Sequence, residues 1–298
     1  MNINARCFIE EFKRNIISMG RTYVWLIGLI LYSLLSITSF YPTSSVGLYS
    51  STLPIETYYY TFFWENLIMS GGLSLMYILS SFLVSEDIEN GNMKMLKSAK
   101  IPLYPVLLAK VLYIVVYSIL ITLISSFIFS LYFFSNIATF NSSYVPVIIY
   151  ISLAFSLIFF IASMQGFFIS TLFNKRIISA IVSFGTGLII SVISSQIYTP
   201  LLLAHNGNLY AFTPISGPYY DKILILLNPY YFKGFIALLF GITHVNVPYP
   251  STNQQPSSGV NFIVMTLYPN IYGYLEFVFV EMIVISVLIY ISIKIKNR

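Results

Sequence analysis

Five stretches of this chain, roughly 22–41, 62–84, 107–134, 146–172 and 177–203, are too long and too apolar for water to be their solvent. About 20 mostly apolar residues in a helix cross a hydrocarbon core of about 30 Å. A sixth stretch, 272–293, is interrupted only by Glu276 and Glu281. Composition removes the soluble alternative: only 8% of the 298 residues are charged and 57% are hydrophobic, against about 25% charged in an ordinary globular domain. So few charges cannot cover a water-facing surface. The sequence therefore predicts an all-α integral membrane protein, a single transmembrane domain over 1–298.

Charge placement sets the topology. Of the 15 Lys and Arg, four precede the first run (Arg6, Lys13, Arg14, Arg21) and four mark the connection from the second run to the third (Lys94, Lys97, Lys100, Lys110). Lys175 and Arg176 separate the fourth and fifth runs, and Lys294, Lys296 and Arg298 follow the last, leaving only Lys222 and Lys233 elsewhere. The positive-inside rule then places both termini in the cytoplasm and makes the number of spans even. Six spans in the plasma membrane are expected. Residues 223–242, apolar but broken by Pro229 and Lys233, become a re-entrant hairpin within an extracellular segment, 204–271. The net charge of +5 is read as this membrane-face bias and not as a nucleic-acid surface. A single cysteine, Cys7, excludes an intrachain disulfide and a cysteine-rich metal site, and His205 and His244 have no ligand-like spacing. The sequon Asn141-Ser142-Ser143, in an expected outer loop, is a glycosylation candidate.

Two cytoplasmic segments carry more pattern than an orienting loop needs. Within residues 1–21, Phe8, Phe12 and Ile16 recur every four residues, with Arg6, Glu10, Lys13 and Arg14 on other faces. That is an amphipathic helix suited to the membrane interface. The loop 85–106 opens acidic with Glu86, Asp87 and Glu89, as the first turn of a helix would. It breaks at Asn90-Gly91, then runs into a short basic helix with Met93, Met95 and Leu96, which Pro102 and Pro105 are expected to stop. Asn92 and the Met and Leu side chains read as a docking surface for a cytoplasmic partner.

These residues carry a resemblance. Asp87-x-x-x-Gly91-Asn92-x-x-x-Leu96, then Pro102 and Lys110, resembles the pattern of the membrane subunits of type-2 ABC transporters, with Asn92 at the usual Thr, Ala109 at the usual Gly and Ile101-Pro102 at the usual Ser-Pro. The block Asn228 to Gly241 is similar to the outer Pro-aromatic segment of the same family. The resemblance implies a permease half of an exporter for an amphiphilic, lipid-linked or peptide substrate. Its loop 85–106 would be a coupling helix seated on a separate soluble ATPase, and it would pair with a second copy or a homologous subunit. No Gly-x-x-x-x-Gly-Lys-Ser/Thr motif occurs, nor any Gly-Lys dipeptide. The chain is therefore expected to be no enzyme itself, to bind no cofactor or metal, and to leave ATP and Mg to its partner.

Small residues recur every four positions in the fifth run (Ser179, Ser183, Gly187, Ser191, Ser195) and the third (Ser118, Thr122, Ser126, Ser130). Such stripes let helix backbones approach in lipid. The first is expected at a dimer axis. Glu281, and less so Glu276, are pathway candidates, because an ionisable group within a span must face protein or water. The alternatives are a secondary transporter, which calls for internal repeats and coupling carboxylates, or a membrane assembly protein without an ATPase partner.

Overall fold

The computed structural model describes residues 3–18, 34, 59, 62–63, 72–136, 139–193, 244–248, 262–266 and 271–296. The first expected span apart from Leu34, the hairpin 223–242, the block 228–241 and Ser195 lie outside the described residues, as do the side chains of Ser191 and Glu276. In chain order the elements are α1 (Ile3–Ser18), α2 (Leu73–Glu89), α3 (Asn92–Ser98), α4 (Leu103–Asn136), α5 (Tyr144–Leu172), α6 (Arg176–Ile193), β1 (His244–Pro248), β2 (Phe262–Thr266) and α7 (Ile271–Lys296). Two compact units divide them, 1–191 with 282–298, and 192–281.

Helix dominates, as the long apolar runs require. The departure from an all-α reading is the antiparallel pair β1–β2, registered from His244 opposite Thr266 to Pro248 opposite Phe262. Its strands are rich in β-branched and aromatic residues, and the Pro- and Ser-rich stretch between them cannot continue a helix.

Among the described residues α4 and α5 are long and apolar enough to cross a membrane. At 1.5 Å per residue they extend about 51 and 44 Å, more than the hydrocarbon core needs. Pro105 and Pro146 each occupy the third position of their helix, where the missing N–H would have no intrahelical acceptor anyway. Pro105 thus opens α4, which begins at Leu103, ahead of the Leu107 expected from the apolar run.

Helix α2 packs on α5, α5 on α4, and α1 on α4. Glycine sets two close approaches. A Cβ on Gly166 of α5 would come within 2.6 Å of the Tyr77 carbonyl oxygen, and one on Gly187 of α6 within 2.8 Å of the Ser74 Cα. Both helices therefore meet α2 nearly backbone to backbone. This corrects the expected role of the fifth-run stripe. Ser179 and Ser183 are fully buried within the chain, and Ser179 Oγ donates to the Ser81 carbonyl at 3.3 Å. The stripe is an internal seam against α2, because the small side chains are spent where two helices of one subunit touch. The third-run stripe is internal too: Ser152 Oγ donates to Ser126 Oγ at 2.6 Å.

Distinct clusters fill the bundle. Phe62 stacks on Phe129 with centroids 4.1 Å apart, Phe63 on Phe155 at 4.8 Å, and Tyr59 meets Phe129 edge-on at 4.9 Å. Around α3, Val84, Met93, Leu107, Phe167, Ile289 and Ile293 form an aliphatic cluster.

Candidate functional site

The connection from α2 to α4 is a rigid elbow. Helix α2 ends at Asn90, whose N–H reaches the Glu86 carbonyl at 2.9 Å, and Gly91 follows at φ +74. A left-handed residue after a helix end is the position glycine occupies most easily. Helix α3 closes with the Ile101 N–H on the Leu96 carbonyl at 3.0 Å, and Lys100 takes the left-handed position at φ 54. Pro102 then prevents continuation.

The acidic residues stand elsewhere than expected. Glu86, Asp87 and Glu89 form the last turn of α2 and not the first turn of a new helix. The helix dipole disfavours negative charge there, so each must be answered from outside, and each is. Asp87 receives both of its bonds from the Arg14 guanidinium at 2.9 Å, the Lys110 ammonium at 2.7 Å and the Asn92 amide at 3.1 Å. Glu89 accepts the Arg176 backbone N–H at 3.0 Å, capping the start of α6. Glu86 faces the Arg176 side chain at 3.8 Å.

Lys110 is the hub. It is 1% exposed and bridges Asp87 and Glu11, the latter at 3.1 Å, while also donating to the Leu83 carbonyl at 2.7 Å. Arg14 closes the ring on Glu11 at 2.8 Å. Two cations and two carboxylates are thus gathered from α1, α2 and α4 with no net charge. Burial by itself would raise the Asp87 carboxyl, but the Lys110 charge and hydrogen bond, then Arg14 and Asn92, outweigh it and hold the group below its ordinary 3.8.

Helix α1 consequently docks by a polar face. Glu11 and Asn15 are its buried residues, while Ile9 and Ile16 are exposed and Phe8 stacks on Phe12 with centroids 6.3 Å apart. At 3.6 residues per turn the Phe8, Phe12, Ile16 stripe lies about a quarter turn from the docked face. On α3, Met93 and Leu96 point inward onto the aliphatic cluster, correcting the expectation of an exposed Met and Leu surface. Met95 alone of those three faces out, 64% exposed.

A cavity of about 520 Å³ opens above the network. Its charged end includes Arg14, Asp87, Lys110 and Arg176, and its inner wall includes Ile114 and Tyr117. Glu281 is buried on α7. Asn141 is exposed between α4 and α5, its Oδ1 accepting the Ser143 N–H at 3.0 Å. Among the described residues no group of three or more His, Cys, Asp or Glu is placed to hold a metal ion.

Sequence reasoning treated Arg14 and Lys110 as orienting charges and passed over Glu11. The available signal was Lys110 itself, since a lysine inside the start of an apolar run requires a partner. No protein-family model matches the chain, and no curated sequence matches it at a significant level.

Proposed function

We propose that this chain is the permease subunit of an ATP-driven exporter of the type-2 ABC class, moving an amphiphilic, lipid-linked or peptide substrate outward. One observation carries the reading: the residues on which the resemblance rests are neighbours in space. Asp87 pairs with Lys110 at 2.7 Å, Asn92 bonds Asp87 at 3.1 Å, Gly91 makes the left-handed turn and Leu96 packs on the aliphatic cluster. Together they hold a short helix whose exposed crest carries Lys94, Met95 and Ser98. Such a helix, anchored at both ends into long apolar helices, suits the transmission of a push from a soluble partner.

In this reading ATP and Mg belong to a separate ATPase seated on α3 and flanked by α1. The chain has six spans with both termini in the cytoplasm and works beside a second copy or a homologous subunit. The test is co-purification with the Walker-motif ATPase encoded nearest to this chain. Wild type and Met95→Leu are expected to hold the complex. Met95→Asp is expected to weaken it at least about tenfold, the scale set by losing one buried apolar contact. Capture that is indifferent to Met95→Asp, or no capture at all, overturns the docking assignment.

A further inference from the structure

The cavity above the ion network holds more polar groups than the network uses. Lys110 and Asp87 answer one another, and Arg14 is held by Asp87 and Glu11. What remains at the charged end is the Arg176–Glu86 pair, loose at 3.8 Å with side chains 41% and 30% exposed. Deeper in, Tyr117 lines the wall, 4% exposed, and its hydroxyl has no hydrogen-bond partner. A buried hydroxyl left unpaired is costly, and its persistence points to an acceptor supplied from outside the chain. Tyr117 lies seven residues beyond Lys110 on α4, about 10 Å along the helix. Leu79, Ile114, Ile177 and Ile181 supply apolar lining. The cavity is therefore amphiphilic along its length, dipolar at one end and apolar with one donor at the other.

We infer that this cavity binds a zwitterionic phospholipid with a primary-ammonium headgroup, its phosphate against Arg176, its ammonium against Glu86 and its ester oxygens under the Tyr117 hydroxyl. A cation and an anion of equal number favour a dipolar head over an anionic one. Glu86 selects an ammonium that can donate over a trimethylated one that cannot. The inference rests on the membrane part of the proposed function and is independent of the ATPase.

The experiment uses the full chain in detergent micelles, with thermal unfolding followed by circular dichroism. Phosphatidylethanolamine, phosphatidylcholine, phosphatidylglycerol and soluble phosphoethanolamine are titrated separately. Phosphatidylethanolamine is expected to raise Tm saturably and more than the other two lipids, with phosphoethanolamine inert for want of an apolar body. Arg176→Gln removes the response. Tyr117→Phe separates binding from folding: without lipid its Tm is equal to or above wild type, since an unpaired hydroxyl has gone. Its half-saturating lipid concentration rises roughly 2- to 12-fold, the value of one neutral hydrogen bond. Equal response to all three lipids, a full response to phosphoethanolamine alone, or an unchanged response in Arg176→Gln overturns the inference. Failure of ATPase capture with this lipid response intact refutes the transport reading and leaves the site standing.

Discussion

Replacing Lys110 by Met tests the network at its hub, with little change of side-chain length. In the intact protein Glu11 and Asp87, each with a side chain only 7% exposed, are balanced by Arg14 and Lys110. The variant leaves both carboxylates on Arg14 alone. Removing one partner of a buried ion pair costs about 3–5 kcal/mol. Arg14 keeps its bonds to both carboxylates and Asn92 keeps its bond to Asp87, so the lower figure, about 3 kcal/mol, is expected. Adding Asp87→Leu restores neutrality, with Glu11 on Arg14 at 2.8 Å. Apolar replacement of a buried pair is about neutral or better, so the double variant should recover at least about 2 kcal/mol. A dye on Cys7, the chain's single cysteine and half-buried on α1, reports undocking of that helix during a denaturant titration, while circular dichroism reports the bundle. A single variant within about 1 kcal/mol of wild type, or a double variant no more stable than the single, refutes the claim that these charges hold α1.

The same dye reads the pH dependence. Asp87 titrates below 3.8 when folded and returns toward that value when α1 undocks, so its contribution is complete above the unfolded value and is lost as pH falls through the folded one. Docking should be flat from neutral pH to about pH 5 and fail below the ordinary carboxylate range; loss near neutral pH would contradict this. Gly166→Ala should cost about 1–3 kcal/mol by overpacking, since its Cβ meets Tyr77 backbone at 2.6 Å, measurable as a lower thermal midpoint. Gly91→Ala, with open space around it but φ +74, should cost only about 1–2 kcal/mol of backbone strain. Lys100→Gly, relieving φ 54, should instead stabilise by about 1 kcal/mol, seen as a higher midpoint.

How much of the site was legible depends on the range of the signal. Apolar period and length were enough to locate α5 over the 146–172 run and α6 at the start of the 177–203 run. Gly91 was legible as a break because a left-handed turn is a local demand. Phe8, Phe12 and Ile16 declared an amphipathic α1 by spacing alone. The β1–β2 pair was missed because two five-residue strands in a long connection carry little periodicity. Met93, Met95 and Leu96 looked equivalent in sequence, and the direction each takes depends on what α4, α5 and α7 place beneath α3.

The amino-acid sequence by itself determined that water is the wrong solvent for this chain, where its long helices run, and where its rare charges fall, because each follows from composition and local spacing. The tertiary structure alone decided that Glu11, Arg14, Asp87 and Lys110 are one group, and that Ser179, Ser183 and Gly187 close a seam within the chain. Those pairings join residues tens of positions apart. Burial raises the cost of an unanswered charge until only one arrangement answers them all.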